Sequence, residues 1–275
     1  MATESAREYF KFAKFSFDSK DYQKALDFIN RAIDLEPDYT NGLILRAEIN
    51  QHLGNYQEVI PDANQIIGVE NQAISVFANT YLIRGLAYFH LEKFDQASAD
   101  FRSSVSHNPE NAEAYFYLGL ISHQKASFFP ALENFDKAIE KDGSNFEYYY
   151  HRAKTKIENY HPIPNTPTYD NIIADINKSI SLNPEDYRAY ELRCDMLKLS
   201  AAEIRAPYID ELTKIIKLFP DQPEFYAQRG IANILDYNFK GALEDLNKAI
   251  AFNGKNELTL RNRGLCFHNL GGYRD

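Results

Sequence analysis

The sequence predicts an all-α chain, a curved array of about seven and a half helical hairpins, and three observations carry that expectation. A small residue recurs in the middle of an apolar, helix-like segment: Ala13, Ala47, Gly85, Gly119, Ala153, Cys194, Gly230 and Gly264, at intervals of 34, 38, 34, 34, 41, 36 and 34 residues. About nine residues later an aromatic opens a second helical segment, as at Tyr22, Tyr56, Phe94, Phe128, Phe239 and Tyr273. That segment ends at a breaker, Pro37, Pro109, Gly143, Pro184, Pro220 or Gly254, which stops a helix through a missing N–H or an easy left-handed turn.

Each element has its own reason. A tiny side chain at near-constant spacing marks where two helix backbones come too close for a large one. The second helix carries its own small residues, Ala25 and Ala32, Ala97 and Ser104, Ala131 and Ala138, Ala242 and Ala249, seven apart and therefore on one face. A small residue at position 8, an aromatic near 17, small residues at 20 and 27 and a Pro at 32 of a 34-residue period resemble the tetratricopeptide repeat (TPR). Tyr81 to Pro109 and Tyr226 to Gly254 match best. The resemblance implies an α-α superhelix, a single TPR solenoid over residues 1–275 with repeats at about 6–39, 40–77, 78–111, 112–145, 146–186, 187–222, 223–256 and an incomplete 257–275.

The departures carry expectations too. Repeat 2 has Val59 and Ile66 where small residues are due and Pro61 just inside its second helix, so that hairpin should be looser or bent. Repeat 5 holds about seven extra residues around His161-Pro162-Ile163-Pro164-Asn165-Thr166-Pro167, a stretch that cannot be helical. Repeat 6 has Tyr208 at a normally small position, and its second helix should start late, at Pro207. The sequence stops at Gly272-Tyr273-Arg274-Asp275, where the second helix of repeat 8 is due. An apolar end face is then left wet, so the natural chain is expected to continue, and self-association through the incomplete repeat is a further expectation.

Composition narrows the function. With 275 residues, 44% apolar and 25% charged, the balance is that of a globular chain. The net charge of −9, 39 acidic against 30 basic residues, is spread along the chain, which disfavours nucleic acid and membrane surfaces as partners. No apolar run reaches the length of a membrane span, and charges interrupt Met1 to Ser19 where a signal peptide needs apolar continuity. The expected compartment is the cytoplasm unless a leader has been removed. Cys194 and Cys266 fall on first helices two hairpins apart and should be free thiols.

Position 7 is Arg in six repeats, Arg46, Arg84, Arg152, Arg193, Arg229 and Arg263, and position 23 on the second helix answers the first five with Asp62, Asp100, Asp175, Glu211 and Asp245. The two complete repeats without the Arg have Phe12 with Phe28 and Leu118 with Asn134. A guanidinium facing a carboxylate across a hairpin fixes helix register through two parallel hydrogen bonds, so these are expected to be structural ion pairs.

First helices should line the concave wall, with positions 5, 9 and 12 as its free stripe. The stripe reads Phe10, Lys14, Phe17; Ile44, Glu48, Gln51; Leu82, Leu86, Phe89; Phe116, Leu120, His123; Tyr150, Lys154, Ile157, with His52 and His90 beside it. Such a groove is largely apolar and aromatic, unlike the Lys and Asn clamp by which some TPR proteins hold a C-terminal carboxylate, so apolar anchors should dominate. No HExxH, Walker loop, dinucleotide Gly pattern or metal-spaced Cys cluster occurs. The reading is a scaffold without catalysis or cofactor that binds a protein or peptide partner. The rival reading is a regulatory or targeting arm of a larger enzyme or signalling protein.

Overall fold

The structure is a computed structural model and describes residues 4–69, 73–161, 163–164, 166–200, 205–253 and 256–271. Among the described residues it holds fifteen α-helices and no strand. They follow in hairpin pairs: α1 (Glu4–Asp18) with α2 (Tyr22–Leu35), α3 (Thr40–His52) with α4 (Tyr56–Ile67), α5 (Ile74–His90) with α6 (Phe94–His107), and α7 (Ala112–Gln124) with α8 (Phe128–Lys141). Then come α9 (Phe146–Tyr160) with α10 (Pro167–Leu182), α11 (Tyr187–Ser200) with α12 (Arg205–Leu218), α13 (Pro223–Leu235) with α14 (Phe239–Asn253), and last α15 (Glu257–Asn269). The chain divides into two compact units, Met1–Ser144 and Asn145–Asp275.

Five of the hairpin turns share one backbone device. After the first helix a single residue turns left-handed: Lys20 (φ 61°), Gly54 (76°), Glu92 (57°), Ala126 (53°) and Tyr237 (62°). The next amide then donates to the carbonyl five residues back, Asp21 to Ser16 at 2.9 Å, Asn55 to Asn50 at 2.8 Å, Lys93 to Tyr88 at 2.8 Å, Ser127 to Ser122 at 2.9 Å and Asn238 to Asn233 at 2.8 Å. This closes the first helix and aims the chain back along it. The predicted aromatics Tyr22, Tyr56, Phe94, Phe128 and Phe239 each open the second helix.

At the predicted small positions the helices touch. A Cβ on Gly85 would lie 2.8 Å from the Phe101 ring, and one on Gly119 would lie 2.6 Å from that of Phe135. Ala13, Ala47, Ala153 and Cys194 are buried. Gly264 departs from the series: it is exposed, and among the described residues nothing lies within 4 Å of its added Cβ.

In the first unit, Ala13, Ala25, Ile29, Leu43 and Ile49 build one core and Leu86, Ala97, Phe101, Ala114 and Leu118 another. In the second, Tyr190, Cys194, Leu212, Ile215 and Phe225 form the largest, with a second around Ala153, Ile172, Ile176 and Met196. Cys194 and Cys266 are buried free thiols, and burial pushes the Cys194 thiol up to about 12.

The irregular repeats have physical explanations. Val59 is buried at a position meant for a small residue because Ala47 and Ala87 beside it are small. Pro61 stays inside α4 on its exposed side. The α5 helix opens at Ile74 instead of at Ala78. In repeat 5, His161 turns left-handed (φ 45°) and Thr166 caps α10, its hydroxyl accepting from the Tyr169 amide. In repeat 6, α12 starts at Arg205, earlier than the predicted Pro207, and Tyr208 is buried with its hydroxyl donating to Gln228 at 2.9 Å. The predicted Pro162, Asn165, Gly254, Gly272, Tyr273, Arg274 and Asp275 lie outside the described residues.

Candidate functional site

The arginines and acids face each other across their hairpins. Arg46 holds Asp62 through Nε at 2.8 Å and Nη2 at 2.6 Å. Arg84 holds Asp100 at 2.7 Å through both nitrogens, and Arg229 holds Asp245 at 2.8 and 2.7 Å. Arg152 grips Asp175 likewise, with Nε at 2.9 Å, and Lys156 adds a third bond at 2.8 Å. The four aspartates are buried, and the carboxylate hydrogen bonds hold the guanidinium pKa of Arg46, Arg84 and Arg229 above its ordinary value. Arg193 reaches Glu211 through Nη2 alone, which leaves its buried Nε without a partner.

Sequence reasoning missed a third member of this arrangement. In five of the six arginines Nη1 reaches back to the preceding hairpin: Arg46 to Asn30 at 3.2 Å, Arg84 to Asn64, Arg193 to Asn177 at 3.1 Å, Arg229 to Thr213 at 3.1 Å and Arg263 to Asn247 at 3.4 Å. Four of these acceptors stand sixteen residues before the arginine, and that spacing is the signal that could have found them. One guanidinium therefore ties its own hairpin together and ties it to the hairpin before.

On the first-helix wall of the Met1–Ser144 unit, Phe10, Phe17, Ile44, Glu48, Leu82, Phe89, Leu120 and His123 are half-buried, while Lys14, His52 and His90 are exposed. Leu86 and Phe116 correct the sequence reading: both are buried, Leu86 in the core with Phe101 and Leu118, and Phe116 against the Phe135 ring at 5.9 Å. They lie beneath the wall.

The wall histidines have a packing role. His52 stacks on Tyr22 of the preceding hairpin (centroids 4.7 Å, interplanar 2°), and His90 stacks on Tyr56 in the same way (4.3 Å, 9°). Partial burial of its ring lowers the His90 pKa below the ordinary value. Phe17 meets both Tyr22 and His52, and Phe89 meets Phe94 and Tyr117, so an aromatic column runs along the turn edge of the wall.

Glu48 is the one carboxylate among the candidate wall residues of this unit. Burial raises its pKa above the ordinary carboxylate range, opposed by a hydrogen bond from the Asn79 side chain and by the charges of Lys14 and His52.

In the Asn145–Asp275 unit the candidates Tyr150 and Lys154 are half-buried. The Tyr150 ring lies under Arg188, whose guanidinium carbon is 4.8 Å from the centroid and which also bonds Glu147 and Asp186. This wall is charged where the other is apolar. Among the described residues no group of three or more His, Cys, Asp or Glu is placed to hold a metal ion, and no helix is long and apolar enough to cross a membrane.

Two family models described as tetratricopeptide repeat match residues 6–39 and 84–139. The chain carries tetratricopeptide repeats in those two segments. Its repeats resemble the solved structure of a tetratricopeptide repeat protein from Parabacteroides merdae, with 22% identity, a TM-score of 0.60, and 96% of this chain and 100% of that one covered. Among curated proteins it is 24% identical over 240 residues to the DnaJ protein P58IPK homolog A of Oryza sativa subsp. japonica, covering 85% of this chain and 43% of that protein. It is 23% identical over 246 residues to the Hsp70-Hsp90 organizing protein of Triticum aestivum, covering 88% and 40%. The TPR chain thus spans less than half the length of these curated relatives.

Proposed function

We propose that this TPR chain is a scaffold without catalytic chemistry of its own, and that it holds a peptide or helix of a partner protein against the first-helix wall of its Met1–Ser144 unit. One observation carries the reading: Phe10, Phe17, Ile44, Leu82, Phe89 and Leu120 remain half-exposed on one helix type after the fixed packing positions are filled. Interfaces take most of their energy from such apolar and aromatic anchors on a rigid frame. The relationship to an Hsp70-Hsp90 organizing protein supports the same class of function. The test is capture of partners by the intact chain, by Leu82→Ala and by Phe89→Ala, with helicity checked by circular dichroism. Loss of the captured proteins at wild-type helicity is expected; unchanged capture by both variants moves the site off this wall.

A second reading is favoured by the relatives' length. In proteins of which this chain covers 43% and 40%, the repeats are one part, and here too they would serve as the targeting arm of a longer enzyme or signalling protein. An immunoblot that compares the endogenous polypeptide with the 275-residue chain separates the two: a larger endogenous species supports the arm, an equal one the scaffold.

A further inference from the structure

Glu48 is where the wall of the Met1–Ser144 unit departs from what stability alone would select. It stands half-buried on α3, one turn after Ile44 and one turn before His52, and Ile44 packs against the cores on both sides of it. One neutral donor, the Asn79 side chain of α5, reaches its carboxylate. Lys14 acts on it only from a distance, because among the described residues Lys14 pairs with Asp18 of its own helix at 4.0 Å. Burial outweighs these contacts and raises the Glu48 pKa, so the ionised carboxylate is held at a cost to the fold.

The hairpin pairs show how this chain treats a carboxylate that serves packing. Asp62, Asp100, Asp175 and Asp245 each receive two bonds from one guanidinium. Glu48 receives no such partner, yet it sits on the same face as the half-exposed Phe17, Ile44 and Leu82. A carboxylate stripped of part of its water, with no cation of its own and apolar side chains around it, is complementary to a cation brought from outside. The surrounding charge points the same way. Residues 1–144 hold 21 acidic and 13 basic side chains, a field that draws in a cationic segment and repels an acidic one.

Resting on the first-helix wall as the binding face, we propose that the partner segment it holds is basic and amphipathic: a Lys or Arg seats on Glu48, and apolar residues beside it meet Ile44, Leu82 and Phe89. Glu48 is the specificity-determining residue. It rewards the cation and rejects an acidic segment, which would place carboxylate against carboxylate.

The probe is a random peptide library selected against the intact chain. Enriched peptides are resynthesised and titrated, by fluorescence anisotropy, into the intact chain, into Glu48→Gln and into Glu140→Gln, which removes the same charge from an exposed position on α8. Enriched sequences are expected to carry Lys or Arg between apolar residues. Glu48→Gln weakens them about tenfold, since a hydrogen bond to a charged group is lost, while Glu140→Gln leaves their affinity unchanged. Exchange of the peptide's basic residue for Gln brings the same loss with the intact chain and none with Glu48→Gln. Removal of the Glu48 charge relieves its burial, so urea denaturation should show Glu48→Gln at least as stable as the intact chain, and the lost binding is not lost folding. Enriched peptides without basic residues, or basic peptides that bind Glu48→Gln as tightly as the intact chain, overturn the cation preference and leave the apolar wall standing. Enriched peptides indifferent to both Leu82→Ala and Phe89→Ala remove the wall as the binding face and this inference with it, as does a selection that enriches nothing.

Discussion

Asp245 is 4% exposed, and apart from Arg229 its nearest donor is the Asn233 amide at 3.4 Å. Arg229→Leu therefore strands a buried charge and should cost about 3 kcal/mol in urea denaturation, since removal of one partner of a buried pair leaves the other uncompensated. Arg229→Leu with Asp245→Leu together should recover most of that loss, and a double-mutant cycle without coupling would reject the pair as a structural unit. Glu48 provides a test in pH. Its folded pKa is raised, first by burial, so between the unfolded and folded values the folded chain holds more protons, and stability falls as pH rises through that window. Glu48→Gln should accordingly raise the urea midpoint near pH 7 and leave it unchanged near pH 3. Equal gains at both pH values would show that the charge is not the cause.

At the scale of elements, identical repeat positions should respond with opposite signs. Gly119→Ala drives a Cβ to 2.6 Å from a fully buried Phe135 ring that has nowhere to retreat, and should cost about 1–3 kcal/mol as overpacking. Gly264→Ala meets nothing among the described residues and should stabilise α15 by about 0.8–1 kcal/mol through helix propensity alone. Thermal unfolding of the two variants measures both, and like signs would show that close approach is not what selects the glycine. The hairpin turns add a second comparison. Ala126 holds a left-handed φ of 53° where Gly54 holds 76°, and a side chain there costs about 1–2 kcal/mol. Ala126→Gly should return about 1 kcal/mol of this, less a small gain in unfolded-state freedom.

Across the whole molecule, the hairpin register was legible because close packing enforces it: a glycine under Phe101 or Phe135 cannot drift along the chain without a clash. The buried acids were legible for the same reason, since each sits opposite an arginine at a fixed repeat position. Leu86 and Phe116 were not, because whether a wall position is covered depends on the neighbouring ring, and repeat spacing carries no record of ring size. Nor were Asn30, Asn64 and Asn177, since an asparagine on an outer helix face reads like any solvated polar residue until a guanidinium is placed beside it. What the period encodes is contact between each helix and its immediate successors, so energy should be local. Phe101 is fully buried within the core that also holds Leu86, Ala114 and Leu118, and Phe101→Ala should cost about 3–5 kcal/mol. In amide exchange of the intact variant, α5, α6 and α7 should lose the most protection, while α1 and α2, whose core is built on Ala13, Ala25 and Ile29, should keep more of theirs. A uniform loss from α1 through α7 would mean that the Met1–Ser144 unit opens as one body, and the repeat-by-repeat account of its stability would then be wrong.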